Sequence, residues 1–321
     1  MALDLKAKAL LTAIAAAEEP ALGSVPIDIA RRSIESRYEK LSLPRKEIGS
    51  VTNIEIEGSE AKIPLRIYRP AGAGPFPVIL FFHGGGWVLF TPENYDPIST
   101  HLCHDTHAIV VSVDYRRSPE NKFPASLNDC YDAVCWADAH IGEYGGDTSR
   151  IALAGDSAGG NLVAATTLRL RNEGGPTCCG QVLLYPVTDY YTKERQSYRE
   201  FAEGFGLTFR DMEWFWAQYL QNPADSANPM VCPLLAPDLS GLPDAFVVVA
   251  GNDLLRDEGI EYAQRLRDAG VPTHLSVYEE MIHGFISYLG ILGHARTALT
   301  ETAMWLNQRF DSHVHIRFLS P

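Results

Sequence analysis

The sequence predicts an α/β fold: a mainly parallel, eight-stranded sheet with helices on both faces. Three observations carry that expectation. Short, mostly apolar runs recur at residues 77–82, 109–113, 151–154, 181–185 and 245–250, as in strands covered on both sides. Helix-patterned segments separate them, which implies crossover connections and parallel neighbours. A glycine-flanked serine, Gly155-Asp156-Ser157-Ala158-Gly159, lies between one apolar run and one helical segment.

The elements follow in order. Residues 4–18 form an alanine-rich pattern that reads as a helix. Lys6 and Lys8 before an apolar stretch give it a superficial likeness to a secretion signal, but Asp4 sits in the would-be basic part and the stretch is short. A second helical segment reaches residue 45, set off by Pro20 and Pro26, with Ser24 a candidate cap. Residues 51–57 and 62–69 alternate apolar and polar around Gly58-Ser59, the pattern of an antiparallel pair. After the loop 70–75 come the strand 77–82, the strand 109–113, a helix over 124–140, the strand 151–154 and a helix over 160–171. The strands 181–185 and 245–250, a helix over 258–268, the strand 273–278 and a helix over 293–310 complete the series. In the tail, Val314, Ile316 and Phe318 alternate with His313, His315 and Arg317; this predicts a strand that adds to a sheet edge or to a neighbouring subunit.

One segment breaks the rhythm. Residues 188–230 are too long for a plain connection and carry ten aromatic residues, among them Phe209, Trp214 and Trp216, so they should hold helices of their own and act as a cap. Most of those aromatics are expected to be core.

Composition narrows the function. The 321 residues are 46% apolar and 21% charged, ordinary for a globular protein. A net charge of −13 opposes nucleic acid or an anionic membrane surface as partner, and no apolar run reaches membrane-spanning length. The six cysteines match no zinc-ligand spacing and read as reduced thiols in a cytoplasmic protein. His101, His104 and His107, three apart, would spread around a helix rather than converge, so no metal is expected. The glycines at 155, 159 and 160 lack a glycine where Ser157 stands and so do not form a dinucleotide loop.

The serine turn points to nucleophilic chemistry. A reversal this tight between strand and helix strains the backbone, and side chains at Gly155 or Gly159 would clash. The serine is thereby held at the carboxyl end of the sheet, beside the unpaired amides of a helix N-terminus. A hydroxyl needs a base within reach and a group to orient that base. The chain order for such a turn is serine, acid, histidine. Asp253 directly follows the strand 245–250 and is preferred as the acid over Asp244, Asp257, Glu258 and Glu279; His283 follows the next strand and is the base. His83-Gly84-Gly85-Gly86-Trp87, at the end of the strand 77–82, offers amides to an oxyanion.

From these motifs the chain resembles the hormone-sensitive-lipase-like group of α/β-hydrolases, the bacterial family IV carboxylesterases. The likeness spans residues 50–310 and rests on HGGGW at 83–87, VDYRRSPENKFPA at 113–125, GDSAGGN at 155–161, GLTFRDMEWFW at 206–216, NDLLRDEG at 252–259 and IHGF at 282–285. It implies the α/β-hydrolase fold, with Ser157 as nucleophile, His283 as base and Asp253 as its orienting acid. It also implies an oxyanion hole from the amides of Gly85, Gly86 and Ala158, with His83, Gly84 and Asp156 in support. The domains would be cap helices at 1–45, a catalytic domain at 46–187 and 231–321, and a cap insertion at 188–230. Trp87, Phe209, Trp214, Leu255, Ile282 and Phe285 are candidates to line the substrate pocket. Leu254 stands where the family usually has proline, and Arg117-Ser118 where it usually has leucine-alanine. At least one of the bonds 118–119 and 123–124 should be cis, since both X-Pro pairs lie in a segment near the site.

The activity expected is hydrolysis of short- to medium-chain acyl esters of small molecules, with no cofactor and no metal. A homodimer is left open. The alternatives are a non-catalytic receptor on the same scaffold, which would lack the histidine, and a lipase or arylacetamide-type deacetylase.

Overall fold

Strand β3, the run that the sequence marks most plainly, shows how the chain is layered. In the computed structural model, which describes residues 2–17, 20–41 and 43–319 with side chains to residue 312, its side chains alternate between two cores. Val78, Leu80 and Phe82 face one apolar cluster, Ile79 and Phe81 the other, and all five are fully buried. Each such side chain contributes about 1.5–3 kcal/mol by leaving water.

Helix α1 (Leu5–Ala16) starts at Asp4, whose carboxylate accepts the amides of Lys6 and Ala7 at 2.8 and 3.0 Å. Helix α2 (Ile27–Leu41) follows Pro26. Strands β1 (Ser50–Glu57) and β2 (Lys62–Arg69) are antiparallel, with Glu57 opposite Lys62, as the alternation around Gly58-Ser59 predicts. Then come β3 (Phe76–Phe82), α3 (Asp96–Thr106), β4 (Ile109–Val113), α4 (Ala125–His140), β5 (Gly146–Asp156), α5 (Ala158–Glu173) and β6 (Gly180–Leu184). The insertion carries α6 (Gln196–Glu200) and α7 (Phe209–Tyr219), and β7 (Ala245–Asn252), α8 (Arg256–Asp268), β8 (Thr273–Ile282) and α9 (Gly293–Leu319) complete the chain.

The described strands form one eight-stranded sheet in the order β1-β2-β4-β3-β5-β6-β7-β8, parallel from β4 onward. Residues of α4, α5 and α8 pack on one face and those of α3 and α9 on the other. The parallel strands therefore end on one side, where β3, β5, β7 and β8 deliver His83, Ser157, Asp253 and His283 in turn.

Two expectations are corrected. The tail is not a strand: α9 continues through Leu319. Extending an existing helix gains a backbone hydrogen bond per residue with no new nucleation, whereas a strand needs an edge to join. Helix α3 was not foreseen; Ile98, Leu102 and Cys103 are its buried apolar residues, diluted among polar ones that are in part buried with them. The bonds Ser118-Pro119 and Phe123-Pro124 are both cis, as is Gly74-Pro75. The six cysteines are unpaired and five are buried. Among the described residues no helix is long and apolar enough to cross a membrane.

Candidate active site

Ser157 sits between β5 and α5 at φ 53° and ψ −119°, a conformation that costs roughly 1–3 kcal/mol for a residue other than glycine. Its neighbours explain why the turn needs glycine. A Cβ on Gly155 would lie 2.5 Å from the Gly159 carbonyl oxygen, and one on Gly159 would lie 1.9 Å from that of Phe82. The strain is held by backbone bonds on both sides: Ser157 N–H donates to Leu184 at 2.8 Å, and Ser157 C=O accepts from Asn161 at 3.0 Å and Val187 at 3.2 Å.

Three side chains from distant segments meet here. His283 Nε2 lies 2.9 Å from Ser157 Oγ, and His283 Nδ1 lies 2.7 Å from Asp253 Oδ2. Asp253 is almost wholly buried and its other oxygen accepts the Leu255 amide at 2.9 Å. A carboxylate can only accept, so Nδ1 carries the proton toward Asp253 and Nε2 is left with a lone pair facing the serine hydroxyl. Tyr185 stands edge-on to the imidazole at 5.0 Å. Two of the competing acids are occupied elsewhere. Asp257 accepts the Ser197 amide at 2.8 Å; Glu258 Oε1 accepts the Thr188 amide at 2.7 Å and Oε2 accepts the Tyr198 hydroxyl at 2.9 Å. Complete burial pushes the Glu258 carboxyl up to about 8, against the pull of those donors.

The glycine loop is fixed from below. Asp156 Oδ1 accepts the Gly84 amide at 2.8 Å, and Asp156 Oδ2 accepts the Tyr95 hydroxyl at 3.0 Å. Burial raises the Asp156 carboxyl to about 6, with these hydrogen bonds opposing the shift. His83 is buried, stacked on Tyr115 at 4.3 Å, and donates from Nδ1 to the Gly84 carbonyl at 2.8 Å. Burial holds its imidazole down near 3, so it is neutral. Gly84 N–H is thus engaged with Asp156, while among the described residues no acceptor takes the amides of Gly85, Gly86 or Ala158. Gly85 and Gly86 have φ of 99° and 59°, where glycine is at ease.

A cavity of about 360 Å³ opens above Ser157, His283, Gly85 and Gly86. Its walls come from α1 and α2 (Ile14, Ile34, Tyr38) and from the insertion (Leu207, Met212, Phe215). Of the pocket candidates, Trp87 and Ile282 line it. The other four lie elsewhere. Phe209 packs edge-on against Tyr191 and Tyr198, and Trp214 lies behind Phe215 and over Gly23. Leu255 is buried at the start of α8, and Phe285 is buried under Tyr185 and Tyr278. Trp87 itself is mostly core, stacked face to face on Tyr219 at 4.1 Å. The inward stripe of α7 is Met212, Phe215, Trp216 and Tyr219, and helical periodicity applied to residues 209–219 would have found it. Tyr95 had no such signal, because its role depends on Asp156 lying across the fold.

Known proteins agree with this architecture. Residues 79–287 match the alpha/beta hydrolase fold family. The chain is 43% identical over 257 residues to the carboxylic ester hydrolase LipN of Mycobacterium tuberculosis, covering 78% of this chain and 68% of that protein. It is 38% identical over 265 residues to an arylesterase of Saccharolobus solfataricus, covering 82% and 84%. Among solved structures, the hyperthermophilic esterase of Pyrobaculum calidifontis aligns with a TM-score of 0.92 at 36% identity, over 96% of this chain and 99% of that one. The chain belongs to the α/β-hydrolase family, in its hormone-sensitive-lipase-like group of carboxylesterases.

Proposed function

We propose that the protein hydrolyses short- to medium-chain acyl esters of small molecules through a covalent acyl-enzyme, with Ser157, His283 and Asp253 as the catalytic triad. The observation that carries this reading is the unbroken hydrogen-bond line from Asp253 through His283 to Ser157. Ser157 Oγ attacks the ester carbonyl while its proton passes to His283 Nε2. Asp253 stabilises the imidazolium and keeps its orientation. The oxyanion is received by the amides of Gly85, Gly86 and Ala158. Collapse of the tetrahedral adduct returns the proton to the alcohol, which leaves. Water then attacks the acyl-serine with the same histidine as base, and the acid is released.

The cavity volume and its largely apolar walls favour modest acyl groups. In this reading residues 1–45 and 188–230 act as the cap, which their contribution to the cavity walls supports. A cytoplasmic setting goes with it, supported by the unpaired thiols. The test is a chain-length series of nitrophenyl esters with the wild type and Ser157→Ala side by side. Turnover that falls off beyond medium chains, and vanishes in the variant, is expected. Full turnover by Ser157→Ala, or a preference for long-chain fat, would overturn it.

A further inference from the structure

The turn that leaves the glycine loop is strained, and its carbonyls are gripped from outside. Trp87 and Phe90 have φ of 60° and 69°, left-handed values unusual for large side chains. Such conformations persist only where the surroundings fix them. The Gly85 carbonyl closes the turn by accepting the amides of Val88 and Leu89 at 3.0 and 2.9 Å. Three further carbonyls are tied down. Trp87 C=O accepts the Ser118 amide at 2.9 Å, Val88 C=O accepts Arg31 Nε at 2.8 Å, and Phe90 C=O accepts Arg117 Nη1 at 2.9 Å.

Arg31 does not belong to the catalytic domain's sheet or its loops. It projects from α2, whose Ile34 and Tyr38 wall the cavity. Its guanidinium also donates to the Ser118 carbonyl at 2.9 Å and, through two nitrogens, to Glu120 at 2.7 and 2.8 Å. Arg117 in turn faces Glu35 of α2 at 3.8 Å. The planar fork of Arg31 thus joins three segments at once, which a lysine ammonium cannot reproduce in the same geometry.

We propose that Arg31, assisted by Arg117, is a positioning residue for ester hydrolysis: it locks the strained exit of the glycine loop, so that the Gly85 and Gly86 amides are aimed correctly only while α2 is docked. This rests on the esterase reading above. It makes the N-terminal helices part of the catalytic machinery as well as a wall, and it separates two roles by experiment. A wall matters more as the acyl chain grows. An aimed oxyanion hole matters equally for every ester.

The test measures kcat and KM on nitrophenyl acetate, butyrate and octanoate for the full chain and for Arg31→Ala, Arg31→Lys and Arg117→Leu, with thermal unfolding alongside. For Arg31→Ala, kcat is expected to fall by roughly 10–100-fold on all three esters alike, with KM changed by less than about threefold. Dilute guanidinium should restore part of the rate to Arg31→Ala and none to the wild type. Arg31→Lys and Arg117→Leu, which keep part of the grip, should show smaller losses that are equally independent of chain length; they carry the comparison if Arg31→Ala does not fold. An unchanged kcat on acetate in these variants, with KM rising only for octanoate, would overturn the proposal and leave α2 as a wall. A wild type that cleaves none of the esters would instead remove the esterase reading, and the latch with it.

Discussion

Asp156 accepts the Gly84 amide at 2.8 Å, joining the residue before Ser157 to a loop 72 positions earlier. The Ser157 turn and the glycine loop are thereby held as one body. Asp156→Asn keeps an oxygen for Gly84 but places an amide nitrogen opposite the Tyr95 hydroxyl, which now donates to Asp156 at 3.0 Å. The expected outcome is a fall in kcat of about tenfold with little change in KM, since the shift is felt where charge develops in the transition state. Steady-state kinetics on nitrophenyl butyrate would check it.

Glu258 should make stability depend on pH. Its carboxyl is raised to about 8 in the fold, from an ordinary value near 4.5. Between those values the folded chain holds a proton that the unfolded chain has released. Stability is therefore fully present below about pH 4.5 and declines as pH rises through 8. Glu258→Gln carries no ionisable group and can still accept from Thr188. Thermal melts from pH 5 to 9 should show a downward slope in the wild type that is reduced in the variant; parallel curves would contradict the assignment.

Gly86 and Phe215 are expected to be coupled. A Cβ on Gly86 would lie 2.2 Å from a ring carbon of Phe215, on a φ of 59° that already disfavours a side chain. Gly86→Ala should therefore lose most activity, and Phe215→Ala should recover part of it in the double variant. Alone, Phe215→Ala costs about 3–5 kcal/mol of stability and widens the cavity, moving the preferred acyl chain to greater length. A double-mutant cycle on kcat/KM that shows simple additivity would refute the coupling.

Asp253→Asn should lower kcat by roughly 10³–10⁴ while leaving the fold intact. The Leu255 amide at 2.9 Å holds the asparagine carbonyl, so its NH₂ faces His283 Nδ1 and forces the proton onto Nε2. That tautomer has no lone pair for the serine proton. Single-turnover rates, with circular dichroism as the control for folding, would measure the loss.

Much of this was legible in sequence because it is local. The runs at 77–82 and 245–250 are apolar throughout because helices cover both of their faces. The glycines at 155 and 159 are required by a turn that five residues define. The order of serine, acid and histidine follows from where successive parallel strands end. What escaped reading depends on contacts across the fold. Helix α3 dilutes its three apolar contacts, Ile98, Leu102 and Cys103, among polar residues, of which Asp96 and His101 are themselves buried. Phe209 and Trp214 look like pocket residues by type, yet the phase of α7 turns Met212 and Phe215 inward instead. Arg31 is a plain surface arginine until the fold brings the Val88 and Ser118 carbonyls to it. The alternation at 314–318 failed for another reason: a helix already under way extends more readily than a strand can form without a partner.

The central claim is that Ser157 becomes covalently acylated, and mass spectrometry of the intact chain after exposure to a nitrophenyl alkylphosphonate tests it most directly. The phosphonyl group stands in for the tetrahedral adduct and is not hydrolysed on. The account predicts one phosphonyl mass per chain, located on the peptide containing Ser157, with ester hydrolysis lost in proportion and no label on Ser157→Ala. A label on another residue, or full hydrolysis by a chain already labelled at Ser157, would contradict it.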